Sequence, residues 1–210
     1  MRILLVAFAV VSTLYPADLI AQDAEFESRL DAATLAAVRP ILDAAERDSL
    51  PRQALQSKVL EGLAKDVAPE QIGRVVSGLA LELRSARSGL RGRLPDQPLF
   101  DGEVVAVATA ARHGIGIDVV QSLWASRTDG ASLEVPVTVL GELVRRGVPV
   151  DDAANLMTHV VATSVPLPVA AQIPGKFDGA IGSGASAAAA LGRALRALNI
   201  PSPPGRRPRG

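Results

Sequence analysis

The two histidines are the side chains best suited to acid–base or metal chemistry near neutral pH. His113 precedes Gly114 at the end of an apolar helical pattern, where a protonated imidazole complements the helix dipole. His159 shares a helical face with Asp152, a pair that could bind a metal or exchange a proton, but this face lies opposite an apolar stripe. We predict a capping role for His113 and a solvated face for His159, and we assign no catalytic, metal-binding or cofactor-binding residue.

Trp124 is the single tryptophan of the chain and the first candidate for a binding contact. It lies with Val120 and Leu123 on the apolar side of a predicted helix. That position favours a residue of the core, and the alternative is a contact with a ligand or a partner.

A glycine-rich run at 179–186 precedes a predicted helix, as phosphate-binding loops do. However, no strand pattern comes before it, and Lys176 is followed by Phe177 instead of the Ser or Thr of a P-loop. Nucleotide binding is therefore not predicted.

The arginines of the C-terminal end are the remaining candidates for binding. Residues 22–176 carry 16 basic and 20 acidic side chains, whereas five arginines and one aspartate follow Phe177. We favour a tail that only increases solubility, because a Pro-x-x-Pro pattern at 201–204 is weak evidence in a segment of low complexity. The alternative is that Arg206, Arg207 and Arg209 contact an anionic surface or a partner.

The composition argues against several classes of function. The chain has 22 basic and 22 acidic residues, and its aromatic residues are one Trp, one Tyr and four Phe. Binding of nucleic acids or sugars is therefore not expected. Cysteine is absent, which excludes disulfides, thiol catalysis and thiolate metal sites. Apolar residues make up 48% of the chain and aromatic residues only 3%, so the core must be built from aliphatic side chains.

The first 21 residues have the layout of a secretory signal peptide. Arg2 is followed by an apolar run from Ile3 to Tyr15, and Pro16 breaks this run ahead of the junction between Ala21 and Gln22. A membrane-spanning helix needs about 18 or more apolar residues. We therefore expect cleavage, with an uncleaved N-terminal anchor as the alternative, and no transmembrane span in the mature chain.

Helical periodicity dominates the mature chain, and the best segment is the apolar stripe between Pro69 and Leu90. We predict an all-α fold of about seven to eight helices without a β-sheet. The expected organisation is a signal peptide at 1–21, a flexible segment at 22–30, a helical domain at 31–163 with a candidate sub-boundary at 91–98, a Pro/Gly-rich connection at 164–186 holding one short turn, a C-terminal helix at 187–199 and a disordered basic tail at 200–210.

Three junctions share one pattern, in which a cation, a turn residue and an apolar residue are followed by two linker positions and then by an acid. They are centred on Asp66, Gly114 and Gly147. The cation favours a helix end and the acid favours the next helix start, so each junction predicts a short turn between antiparallel helices. The spacing of 48 and then 33 residues is too irregular for a regular solenoid, although a degenerate hairpin repeat stays open.

One stretch of sequence resembles a family of exported, all-helical bacterial proteins that has no assigned activity. The positions that carry the resemblance are Leu50-Pro51, Ala54-Leu55, Lys58, Glu61-Gly62, Ala64-Lys65, Val67, Val75-Val76, Leu79-Ala80 and Leu83. Asp66 departs from the glycine that is more usual at this turn. The resemblance implies an exported helical protein and implies no activity.

These features together favour a non-enzymatic interaction or structural protein of the bacterial envelope that uses no cofactor. The expected partner is an envelope protein, or an anionic surface reached by the tail. The alternative is a small-ligand carrier or an enzyme with an inter-helical pocket near Trp124.

Overall fold

Every regular element in the described part of the chain is a helix. The computed structural model describes residues 23–93, 98–127 and 132–203, and no strand occurs in these ranges. The all-α class is therefore confirmed. A first helix, α1, covers residues 23–28, and it is followed by α2 (Ala32–Arg47), α3 (Arg52–Ala64), α4 (Pro69–Arg93), α5 (Asp101–Arg112), α6 (Ile117–Ala125), α7 (Glu134–Arg145), α8 (Val150–Ala162), α9 (Leu167–Ala170), α10 (Ile173–Gly182) and α11 (Ala187–Ala197).

Side-chain caps start two of these helices. The Asp31 carboxylate accepts hydrogen bonds from the backbone N–H of Thr34 at 2.8 Å and from its hydroxyl at 2.7 Å, as expected for an N-cap. These bonds lower the pKa of Asp31 because they favour the ionised carboxylate. At the start of α11, the Ser186 hydroxyl accepts a bond from the Ala189 N–H at 3.4 Å.

The same turn ends helices throughout the described residues. A residue with positive φ follows the helix, and the N–H of the next, apolar residue bonds to the carbonyl five positions back, which is the Schellman motif. The turn occurs at Ser49, Asp66, Gly114, Gly147, Ser164, Gly184 and Asn199. Three of these sites were expected from the sequence, and the other four use Ser, Asn or a glycine within a glycine-rich run.

The helices pack on close neighbours in the chain. Many successive helices contact each other, most extensively α10 with α11, and then α4 with α5 and α7 with α8. Alternate helices also pack together, α2 with α4, α5 with α7 and α6 with α8. The core between them is aliphatic, with Phe177 and Trp124 as its largest aromatic members. Burial of these aliphatic faces supplies the main stabilisation of the fold.

The stretch at 91–98 does not separate two independent halves of the described chain. Helix α4 extends to Arg93, and it packs against both α5 and α6 on the far side of this stretch. Arg93 forms an ion pair with Asp118 at 2.7 Å, and Arg112 donates to Glu82 at 2.6 Å. Residues 94–97 themselves lie outside the described residues.

Two segments are more helical than the sequence predicted. The additional helices in them raise the total in the described ranges above the predicted seven to eight. The expected flexible segment at 22–30 contains α1, because Phe26 is buried and Asp23 bonds to Arg52 at 3.0 Å. The expected connection at 164–186 contains α9 and α10, because Ile173 and Phe177 are buried in the core. Tertiary burial therefore outweighs the local content of proline and glycine.

Candidate functional site

Trp124 lies in the core, where only 6% of its surface is exposed. The Arg127 guanidinium stacks over the indole ring, 4.8 Å from the ring centroid. The indole Nε1 is buried, and no hydrogen-bond acceptor for it lies among the described residues. The position fits the interpretation of Trp124 as a core residue, and the role as a ligand or partner contact stays a prediction.

A small cavity of about 140 Å³ lies beside Arg127, between α7 and the segment from α8 to α9. Its wall is formed by apolar side chains such as Leu133, Val160 and Val165. Cavities that enclose drug-sized ligands usually measure roughly 300–1,000 Å³. The region near Trp124 therefore offers little room for a small molecule.

The two histidines lie in separate parts of the described structure. His113 follows α5 as its C-cap residue, and its backbone N–H bonds to the Ala110 carbonyl, so the charge-complementing role of its imidazole stays a prediction. His159 lies on α8, half-buried, with Nε2 at 3.1 Å from the carbonyl oxygen of Pro201. The expectation that His159 faces only solvent is therefore wrong, because the chain after α11 returns to this helix. Within the described ranges no group of three or more His, Asp or Glu side chains could hold a metal ion.

The start of the expected tail belongs to the folded part of the molecule. Ile200 is buried and its N–H bonds to the Leu195 carbonyl, while Pro201 contacts His159. The predicted disordered segment at 200–210 is thus wrong for its first residues. Residues 204–210 lie outside the described residues, and so do the candidate contacts Arg206, Arg207 and Arg209.

An apolar groove of about 490 Å³ lies between α4, α5 and the turn that leads to α6. Small side chains form much of its floor, among them Ala86, Gly89 and Ala111. The ion pair between Glu82 and Arg112 lies at its rim. The groove thus combines an apolar floor with a polar edge, which is the anatomy of many binding surfaces.

The groove lies on the first of two helix pairs, α5–α6 and α7–α8, that match with a constant offset. The two pairs start 33 positions apart, at Asp101 and Glu134 and again at Ile117 and Val150, and their turn glycines show the same offset. Of the residues that line the groove, three are smaller than their equivalents in the second pair, Val107, Ala111 and Gly116, and three are larger, Ala108, Ile115 and Ile117. Residue size alone therefore does not account for the groove.

A second concave region lies on the N-terminal side of the molecule. A cleft of about 730 Å³ opens between α1, α3 and the segment before α5, with apolar walls at Phe26, Leu60 and Leu99. Beside it, a hollow of about 290 Å³ is lined by Asp48, Leu50, Arg84, Arg87, Ser88 and Arg91. Leu50 and Arg87 belong to the walls of both spaces.

Glu103 is a buried carboxylate that reasoning from the sequence missed. Only 1% of its surface is exposed. One oxygen accepts a bond from the N–H of Leu133 at 2.9 Å, and the other lies 3.4 Å from the N–H of Phe100. Glu103 therefore ties the start of α7 to the start of α5. An acid in a first helical turn normally indicates only a favourable dipole contact, so its sequence position gave no sign of this link.

No helix in the described ranges is both long and apolar enough to cross a membrane. No protein-family model matches the chain, and no curated protein or solved structure is significantly similar to it. The resemblance to a family of exported helical proteins therefore stays a prediction.

Proposed function

We propose that this chain is an exported, non-enzymatic interaction protein of the bacterial envelope, built as a short array of antiparallel helical hairpins. The observation that carries the proposal is the 33-residue offset between α5–α6 and α7–α8, together with the packing of α5 on α7 and of α6 on α8. Stacked hairpins of this kind form extended surfaces that bind other macromolecules.

The groove between α4, α5 and α6 is the surface where a protein partner would bind. Ala86, Gly89 and Ala111 allow the apolar side chains of a partner to approach the helix backbones closely. The Glu82–Arg112 pair at the rim would contribute to selectivity more than to affinity, because exposed charges are solvated.

The alternative function, a small-ligand carrier or an enzyme with a pocket near Trp124, has one observation in its favour. The indole Nε1 is buried without an acceptor among the described residues, and a ligand could supply one. The cavity of about 140 Å³ next to Arg127 argues against this alternative, because it is small for an organic ligand.

Site-specific photocrosslinking in cells can test the interaction. A photoreactive side chain at Ala111 is expected to form one defined adduct, because this position lies in the groove. The matched control is Val144, the equivalent position 33 residues further along. Adducts of equal yield at both positions, or at neither, would contradict a partner that binds in the groove.

Export is the part of the proposal that rests on residues 1–21, which lie outside the described residues. The intact mass of the protein recovered from the envelope should correspond to a chain that starts at Gln22. Retention of Met1 would contradict cleavage, and recovery only from the cytoplasm would contradict export.

Arg206, Arg207 and Arg209 are proposed to tether the protein to an anionic surface. A chain that ends at Pro203 removes all three arginines but keeps the contact between Pro201 and His159. Its thermal midpoint should stay unchanged, and its binding to anionic vesicles at low salt should weaken, because each basic residue near such a surface contributes about 1 kcal/mol. Equal vesicle binding with and without residues 204–210 would contradict the tether and favour a tail that only increases solubility.

A further inference from the structure

The hollow beside the turn between α2 and α3 has an unusual balance of charge. Arg84, Arg87 and Arg91 project into it from α4, and Asp48 is the only acidic side chain of its wall. The surrounding body of residues 22–176 has four more acidic than basic side chains. The excess of arginine over acidic residues in the wall of the hollow therefore contrasts with the acidic excess of residues 22–176.

Two of the three arginines are unpaired within the described ranges. Arg84 donates to the Asp48 carboxylate at 2.9 Å. Arg87 and Arg91 form no hydrogen bond or ion pair with any of the described residues. They are one helical turn apart, a spacing at which like charges destabilise a helix. Arg87 is also half-buried, which makes an unpaired guanidinium more costly than one in open solvent.

The end of α2 does not account for these two cations. Asp48 ends this helix near the hollow, and arginines often bind the free carbonyls of a helix C-terminus. Here the carbonyls of Ala44, Ala45 and Glu46 already accept backbone N–H groups within the Schellman turn. Neither Arg87 nor Arg91 contacts them, so the two guanidinium groups remain available for another acceptor.

We infer that the hollow binds a phosphate group through Arg87 and Arg91. A phosphate dianion offers several acceptor oxygens and matches the charge of two guanidinium groups, which bind it through paired N–H donors. The Ser88 hydroxyl, on the wall of the same hollow, can donate one further bond. Leu50 and Arg87 also line the larger cleft, but Asp23, Glu25, Glu46 and Asp101 line that cleft too, so the proposed site is limited to the phosphate in the hollow.

The test measures how inorganic phosphate changes the thermal midpoint of the full chain at low ionic strength. The wild type should show a saturable rise, and the double variant Arg87→Gln/Arg91→Gln should lose about tenfold or more in apparent affinity. Arg74→Gln is the matched control, since Arg74 is an exposed arginine of α4 outside the hollow. Arg206, Arg207 and Arg209 are present in the wild type, in the double variant and in Arg74→Gln. Any phosphate that they bind therefore does not contribute to the differences between these proteins.

A variant with the opposite expected sign strengthens the test. Asp48→Asn removes the competing carboxylate and frees Arg84, so phosphate affinity should increase several-fold. Absence of a response in the wild type, or equal losses in the double variant and in Arg74→Gln, would overturn the inference.

Vesicles of phosphatidylglycerol, compared with vesicles of phosphatidylcholine, identify the source of the phosphate. Binding to phosphatidylglycerol that is lost in the double variant would assign a lipid headgroup. A phosphate response without vesicle binding would assign a soluble phosphorylated ligand.

Discussion

The helix pairs α5–α6 and α7–α8 share their turn but differ in how they are joined to the rest of the molecule. Both turns place a glycine with positive φ, Gly114 or Gly147, before a buried apolar residue. In the first pair, the Glu103 carboxylate accepts a hydrogen bond from the Leu133 N–H at the start of the second pair. The equivalent position of the second pair is Pro136, which has no side-chain group that could form such a bond. The turn is therefore a local structure that recurs, whereas the side-chain links that join the helix pairs to their neighbours differ.

The second pair has its own link to the next layer. Arg146 follows α7 at the position that His113 occupies after α5. Its guanidinium donates to Asp178 on α10 at 2.8 Å and also bonds to Glu142. No comparable bond of His113 exists among the described side chains, so the two pairs should respond differently to mutation and to acid.

Loss of the Glu103 link should have the largest effect on stability. Glu103→Ala removes the acceptor of the buried Leu133 N–H and should lower the free energy of unfolding by about 2–3 kcal/mol. Denaturant unfolding followed by circular dichroism measures this loss. Glu103→Gln, which keeps an oxygen in the same place, should lose less.

The control for that experiment is Glu70→Gln, an exposed acid in the first turn of α4. Its effect should stay within about 0.5 kcal/mol, as for most surface substitutions. Equal losses at Glu103 and Glu70 would mean that general helix electrostatics, and not the buried link, is responsible.

Because the two turns have the same structure, replacing either glycine with alanine should lower the free energy of unfolding by the same amount. Gly114→Ala and Gly147→Ala should each cost about 1 kcal/mol, because φ is +77° and +87° and an added Cβ would meet no atom within 4 Å. Gly78→Ala, in the middle of α4 with equally open surroundings, should instead stabilise by about 0.5–1 kcal/mol. Unequal costs at Gly114 and Gly147 would break the equivalence of the two turns.

Copying a residue of the second turn into the first should stabilise the protein by a smaller amount. Gly116 has φ of −71° and ψ of 155°, values that proline adopts readily, and its N–H makes no backbone hydrogen bond. Gly116→Pro should therefore add about 0.5 kcal/mol by restricting the unfolded chain. The reverse change, Pro149→Gly, should remove a similar amount, and a destabilising Gly116→Pro would show that the turns differ in backbone conformation.

The smallest expected effect is a change in how the thermal stability falls at acidic pH. Hydrogen bonds from Arg145 and then Arg146 lower the pKa of Glu142 below its usual 4.5, and Arg146 lowers the pKa of Asp178 below its usual 3.8. A lowered folded-state pKa stabilises the fold above the unfolded value, and this contribution is lost as the pH falls through the folded value. Glu142→Gln/Asp178→Asn should therefore show a shallower fall of the thermal midpoint from about pH 5 to about pH 3.

The difference between the pH profiles of the double variant and the wild type reports on Glu142 and Asp178. Glu61 on α3, whose pKa is lowered to about 2 by Lys58 and Lys65, contributes to the acid response of both proteins equally. Identical pH profiles in the variant and the wild type would show that the Arg146 link adds nothing to stability, as is common for exposed ion pairs.

The all-helical fold and the positions of the long helices could be predicted from the sequence because aliphatic periodicity is strong in α4, α7 and α8. A cap such as Asp31 can be read from sequence because its side chain acts on its own helix start. Helix α10 could not be predicted, since Pro174, Gly175 and Gly179 suggest a loop locally. Its formation depends on the burial of Phe177 against the rest of the fold.

The candidate sites were harder to predict than the fold. The core position of Trp124 follows from its own helix, whereas the contacts of Glu103 and His159 are with residues 30 or more positions away. Patterns within one helix carry no information about such contacts. The Schellman turns at Ser49 and Ser164 were missed because serine seldom adopts positive φ, and the turn at Gly184 was missed because this residue lies within a glycine-rich run.

The packing of each helix on its close neighbours in the chain also has a kinetic consequence. Most contacts join residues that are near one another along the sequence, so closing long loops is not required before the core begins to form. Folding should be rapid and can begin in any stacked pair of helices. Opening should begin at the ends of the stack, so amide hydrogens of α11 should exchange with solvent sooner than those of α5 and α7 in the middle.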